Sequence, residues 1–204
     1  MNAREAILGR LRGGADPATL DVEATRLLDR PERPVVDVAD LVGGFLAQLA
    51  QARLGATFER IGAMADLPGA AQRYLAAQGL ASALYLPPDP NLAALDWSGL
   101  AISHDCAPDQ PAALAIARVG VAETGSLVLE TAPQAPMLPN FLCLHHIVLL
   151  RAEAIVPHLE DAVLSGSQPR AHYWITGVSG TTDIEGQYVR GAHGPRFLHV
   201  VLVG

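Results

Sequence analysis

The sequence predicts an α/β fold, a sheet of near-continuously apolar strands alternating with helices. Three observations carry this. Half of the 204 residues are hydrophobic, enough for a substantial core. Runs such as "AALAIARV", "HHIVLL" and "RFLHVVLV" are apolar at successive positions rather than alternating, the mark of strands covered on both faces. Between such runs lie segments whose apolar residues recur at helical spacing. Aromatic residues make up only 5%, so Leu, Val, Ile and Ala must build the core.

Residues 2–12 read as a short amphipathic helix with Ile7, Leu8 and Leu11 on one side, stopped by "GGADP". Residues 13–36, with prolines at 17, 31 and 34, read as a loop. Two parts are expected: an N-terminal helix and flexible arm over 1–36, and an α/β domain over 37–204. In the second part "DVADLVGGFLAQLAQARL" is a helix with an Asp suited to capping. "GATFERI" is a strand, and "LPGAAQRYLAAQG" is a helix opened by Pro and closed by Gly. Strands follow at "SALYLP", 100–103, 112–119, 125–131 and 145–150. "RAEAIVPHLEDAVLSG" reads as a helix interrupted at Pro157, and "HYWIT" and "RFLHVVLV" as the last strands.

The formal net charge of -7 argues against a nucleic-acid footprint, which would be basic and clustered. The N-terminus is charged and amphipathic, unlike a signal peptide. "FLCLHHIVLL" is about half of the roughly 18 apolar residues that read as a membrane span. A cytoplasmic protein is the expectation. Two cysteines, Cys106 and Cys143, are too few for a disulfide framework or an all-cysteine iron–sulfur shell and read as buried thiols. "SHDC" places its groups on opposite strand faces, as do His145 and His146, so no metal site is expected.

Two motifs gather chemistry. "VGVAETGSLVLE" places Glu123, Thr124 and Ser126 around Gly125 between two strands. It reads either as a polar hairpin turn or as a carboxylate and hydroxyls offered to a ligand at a sheet end. "GTTDIEGQYVRGAHGPR" is denser. Thr181 or Thr182 could cap a short helix, with Glu185 as its capping-box partner and Asp183 beside it. Gly191 and Gly194 shape a loop that carries His193 and Arg196 to the last strand. An imidazole trades protons near neutral pH and a guanidinium clamps carboxylates or phosphates. Glu123 and His193 are the candidate catalytic groups. Thr124, Gly125, Ser126, Thr181, Thr182, Asp183, Glu185, Gly191, Gly194 and Arg196 are candidate ligand contacts, and all are expected around one cleft.

"VAETGSLVLE", "TDIEGQYVRGAHGPRFLHVVLVG" and the N-terminal "AREAILGRLR" resemble the LUD-domain family, in particular its lactate-utilization members. The resemblance is dense over 118–204. It implies a sheet like that of the NagB/RpiA/CoA-transferase group, with peripheral helices. It also implies a place in a system that oxidises L-lactate to pyruvate, with the iron–sulfur clusters in partner proteins and no cofactor bound by this chain. The chain departs from the family pattern in carrying Thr182 where Ala is usual, and in having no Arg or Lys between Glu130 and Arg151. Three functions stand side by side: a subunit of a lactate-oxidising system, a stand-alone acyl- or CoA-transferase-like enzyme with Glu123 as nucleophile, and a module binding a small carboxylate or nucleotide-like ligand.

Overall fold

A computed structural model describes residues 3–12, 16–29, 33–162 and 169–204. The chain divides into two compact units, Met1–Pro34 and Val35–Gly204. The first holds helices α1 (Ala3–Arg12) and α2 (Pro17–Asp29). Helix α2 corrects the loop expected over 13–36. Pro17 opens it, in the first turn, where a missing N–H leaves no intrahelical bond unmade.

The second unit begins with α3 (Leu41–Leu49), capped by Asp40, whose carboxylate accepts the Gly43 N–H at 2.8 Å. Then come β1 (Ala56–Ile61), α4 (Leu67–Ala77), β2 (Ala83–Tyr85), α5 (Pro90–Ala93), β3 (Ala101–Ser103) and β4 (Ala112–Ile116). Next are β5 (Val119–Val121), β6 (Ser126–Glu130), α6 (Pro139–Leu142), β7 (His145–Arg151) and β8 (Ile155–Val156). The last strands are β9 (His172–Ile175), β10 (Gly180–Thr182), β11 (Tyr188–Arg190) and β12 (Phe197–Val203).

Six strands form one sheet in the order β1-β12-β7-β4-β2-β3, every pair parallel. A second, mixed sheet runs β8-β5-β6-β9, and β10 and β11 pair as a hairpin. Helix α4 covers one face of the large sheet, packing Leu67, Ala70, Ala71 and Leu75 with Ile147, Leu149, Val201 and Val203. Helix α3 and the small sheet cover the other, packing Phe45, Leu49, Leu127 and Leu129 with Val148, Leu150, Val200 and Leu202. This double coverage explains the unbroken apolar runs.

The strand expected over 112–119 is two strands in two sheets. Ala117 N–H still donates to Leu149 in the large sheet, whereas Arg118 N–H donates to Val128 in the small one. The helix expected over 151–166 is absent from its described part. Ile155 and Val156, β-branched, pair parallel with Gly120 and Val121, and Pro157 prevents helical continuation. Short 3-10 turns, Ala152–Ala154 and Leu159–Asp161, flank that strand, and 163–168 lie outside the described residues.

Three histidines stand near the amino ends of the central strands, all buried. His145 and His199 face α4: His145 Nδ1 meets the Tyr74 hydroxyl at 2.9 Å, and His199 Nδ1 meets Thr57 Oγ1 at 2.8 Å while its ring stacks on Tyr74 at 4.2 Å. His146 faces the opposite way, on the side of Val148 and Leu150. Burial lowers the His199 pKa from 6.5 to about 4, opposed slightly by Glu59, and burial alone lowers that of His146 to about 3. Both imidazoles are therefore neutral when folded and gain protons near pH 6.5 only when unfolded. Their stabilisation is complete above that pH and is lost as the pH falls towards 4 and then 3. Denaturant titrations across this range should show the unfolding free energy falling on acidification, by on the order of 3 kcal/mol from His199 alone. A His199→Gln variant should show a shallower acid limb, although it starts from a lower stability.

Candidate functional site

The "AETGS" turn closes β5 onto β6 and its groups divide. Glu123 turns back to the segment after β8: one carboxylate oxygen lies 2.9 Å from His158 Nδ1, and the other accepts the Leu159 N–H at 2.8 Å. Its side chain is 5% exposed. Thr124 and Ser126 point elsewhere and begin a chain of hydroxyls. Thr124 Oγ1 meets Ser126 Oγ at 2.7 Å, and Ser126 Oγ meets Thr176 Oγ1, just after β9, at 2.6 Å. Gly125 has φ +70°, and a Cβ there would lie 3.0 Å from Gln48 Cβ and 3.4 Å from Leu49 N. Its freedom serves a close approach to the end of α3.

"TTDIEGQ" forms the β10–β11 hairpin rather than the start of a helix. Asp183 explains the choice. Its Oδ1 accepts the N–H groups of Glu185 (2.9 Å) and Gln187 (2.7 Å), a local turn that satisfies the backbone without a helix. Thr182, Asp183 and Glu185 are exposed and Thr181 is half-buried, and none of the four lines either main cavity.

The "GAHGPR" loop is fastened to Ser179: Gly191 N–H donates to the Ser179 carbonyl at 2.9 Å, and Ser179 N–H donates to that of Pro195 at 3.0 Å. This places His193 and Gly194 on the rim of a cavity of about 260 Å³ at the amino ends of β7 and β12. His146 and Leu198 line its inner part, Phe141 and Trp174 flank it, and Thr176 brings in the end of the hydroxyl chain. The expected single cleft is thus divided. His193 and Gly194 reach this cavity directly, and Thr124 and Ser126 reach it only through Thr176. Glu123 is committed to His158 and Leu159. Arg196 is exposed, with its guanidinium carbon 5.8 Å from the centre of the Phe197 ring, and does not line the cavity.

A second cavity, of about 150 Å³, opens at the other ends of the strands. From the boundary between β2 and β4 the connections proceed in opposite directions, β2 to β3 one way and β4 to β7 to β12 the other. In open parallel sheets ligands bind outside the carboxyl ends of the strands at such a reversal. Pro87 and Asp89, just past β2, and Ile116 and Arg118, at the end of β4, line this cavity. Glu130, Gln134 and Tyr173 complete its polar wall. Arg118 Nε lies 3.3 Å from Glu130, and Asn140, which donates to the Tyr173 hydroxyl, lines both cavities. Cys143 is buried near Tyr85 and Ala113, with Cys106 partly buried beside them. Burial, and then the proximity of Cys106, push the Cys143 thiol up to about 12. Among the described residues no group of three or more His, Cys, Asp and Glu converges as metal ligands do.

The model of the LUD domain matches residues 108–203. A protein of Deinococcus radiodurans named lactate utilization protein C is 31% identical over 170 residues, 74% of each chain. The chain belongs to the LUD-domain family. In fold it is similar to a crystallised DUF162 family protein from Deinococcus radiodurans, with a TM-score of 0.58 over 83% of this chain and all of that one at 20% identity. The LUD match begins just before β4 and ends at β12, so it contains β4, both motifs and the loop that rims the His146 cavity, but not β1–β3.

Sequence reasoning on this LUD-domain protein missed Arg118, Asn140, Tyr173, His146 and Thr176. A polar residue beside an apolar strand carries no signal of its own. The reversal of strand order, which singles out Arg118, exists only once the strands are paired.

The bonds of Glu123 predict a mainly structural effect of its removal. Glu123→Ala leaves the Leu159 N–H and His158 without their acceptor and should lower stability by about 1–3 kcal/mol. Thermal unfolding of the variant beside the parent checks this; an unchanged midpoint would show that the carboxylate does not hold the 158–159 segment.

Proposed function

We propose that this chain is a cytoplasmic subunit of a lactate-utilisation system, working beside iron–sulfur partner proteins in the oxidation of L-lactate to pyruvate. One observation carries the reading: the 31% identity, over 74% of both chains, to the relative named lactate utilization protein C. That oxidation releases two electrons and two protons, and on this reading the partner clusters accept the electrons. The composition supports the division of labour, since two cysteines in one chain fall short of the four thiolates of a common cluster. Among the described residues no helix is long and apolar enough to cross a membrane.

The cavity at the strand-order reversal suits a small carboxylate. Arg118 turns its Nε to Glu130 and keeps further guanidinium donors for a forked contact with a carboxylate. Asn140, Gln134 and the Tyr173 hydroxyl add neutral hydrogen-bonding groups for a hydroxyl or keto oxygen. The acyl- or CoA-transferase reading is weaker, because it needs Glu123 as a free nucleophile and both its oxygens are engaged.

Deleting the gene in a strain without another lactate dehydrogenase should slow growth on L-lactate and leave growth on glucose unchanged. Equal growth of mutant and parent on L-lactate would overturn the role. Complementation with Arg118→Met should restore growth poorly; full restoration would place the carboxylate elsewhere.

A further inference from the structure

We infer that the apolar face at the amino ends of β4, β7 and β12 is a two-fold interface that seats a second copy of this chain. Leu138, Leu142 and Leu144 leave 62%, 37% and 46% of their surface exposed, and Phe197 leaves 36%. They form one run. Leu138 is helical at the start of α6, and the Leu142 N–H donates to its carbonyl at 3.2 Å, so both stand on one side of that turn. The backbone is extended at Cys143, which buries its own side chain and sets Leu142 and Leu144 on the same outer side. The Leu144 carbonyl accepts the N–H groups of Arg196 and Phe197 at 3.0 and 3.1 Å, which brings the start of β12 alongside. The four side chains together expose on the order of 300 Å², the scale of the largest apolar patch on a typical monomer.

The charges beside this face point to a second copy as its occupant. Leu144 stands between two strand starts, in the sheet order β12-β7-β4. Its carbonyl meets Arg196 before β12, and its N–H donates to the Gln110 carbonyl before β4 at 3.3 Å. Arg196 therefore borders the face on one side and Asp109 on the other. Both are exposed, and among the described residues neither takes part in an ion pair. A two-fold axis through Leu144 exchanges the two borders. It sets the Arg196 of each copy against the Asp109 of the other and the leucines against each other, the self-complementarity that an isologous contact needs. A border of one sign would repel itself in that arrangement. The area sets the strength. A standard interface buries about 800 Å² per partner, and a small apolar centre with a polar rim falls towards the low end, so the dimer should be weak and reversible. Leu138, Leu142, Leu144, Phe197, Arg196 and Asp109 line neither cavity, so the inference stands apart from the lactate role.

Sedimentation equilibrium of the full chain, at concentrations from about 1 to 300 µM, tests it. The chain should show a reversible monomer–dimer equilibrium with a Kd of about 100 µM or below. Leu144→Glu puts an unpaired charge at the centre and should weaken the dimer at least tenfold. Arg196→Asp sets like charges against each other and should weaken it by about as much, at an exposed position that serves should Leu144→Glu not fold. Combining Arg196→Asp with Asp109→Arg exchanges the two signs and should bring the Kd back to within about threefold of the parent. The inference is overturned if the chain stays monomeric throughout, which would leave the face to an unlike partner. It is equally overturned if a folded Leu144→Glu variant dimerises like the parent, or if the double exchange remains as weak as Arg196→Asp alone.

Discussion

The structure depends on burying a parallel sheet on both faces. Strands β7 and β12 pair over seven residues each and are almost entirely buried. Within such a sheet every backbone donor and acceptor must be paired along the ladder, and the side chains between two layers must be apolar. Ile147 to Leu150 and Val200 to Leu202 obey this. In β7 and β12 the polar side chains, His145, His146, Arg151 and His199, stand towards the strand ends, where the ladder stops and water or a ligand can enter. Both cavities lie at such ends: one past β2 and β4, the other before β7 and β12.

The small sheet leaves cavities on one of the two covered faces. Helix α4 seals its own side with close apolar packing, and the histidines there find partners for Nδ1 in Tyr74 and Thr57, while the Nε2 of His199 stays unpaired. On the opposite side β6 and β9 cover the large sheet less completely, leaving a cavity beside Tyr173 and another beside Trp174. Close backbone contact holds this cover in place. Val178 N–H donates to the Leu54 carbonyl at 2.8 Å, and a Cβ on Gly177 would come within 2.6 Å of that oxygen. Only glycine, here at φ +83°, lets the chain pass so near. The same segment, 176–179, carries the last hydroxyl of the Thr124–Ser126–Thr176 chain and the anchor of the "GAHGPR" loop, so fold and site share one support.

His145 and His146 show how position decides the fate of identical side chains. They are adjacent in sequence and both buried, yet strand alternation sends one into a hydrogen bond with Tyr74 and the other to a cavity with Nε2 unpaired. Glu123 and Asp183 make the same point for carboxylates. Both sit in polar turns that read as ligand-facing, yet Glu123 spends one oxygen on the Leu159 N–H and sets the other against His158 Nδ1, and Asp183 spends its Oδ1 on the N–H groups of Glu185 and Gln187. A carboxylate in a tight turn is as suited to holding the turn as to meeting a ligand.

The sequence by itself determined the α/β class, most strand positions in the second unit, the capped helix α3, the helix α4 and the family, because apolar periodicity, capping residues and local motifs act over a few residues. It misread 17–29, 151–162 and 180–185, where the winning signals were a proline that opens a helix, β-branched residues that found a strand partner, and an Asp that closed a turn. The site was legible in part: the loop with His193 and Gly194 does rim a cavity, and the hydroxyls of Thr124 and Ser126 connect to it. Arg118, Asn140, Tyr173, His146 and Thr176 became visible only in three dimensions. Their importance arises from strand order and from which face each strand presents, and these follow from pairings between residues far apart in the chain, which no local pattern encodes.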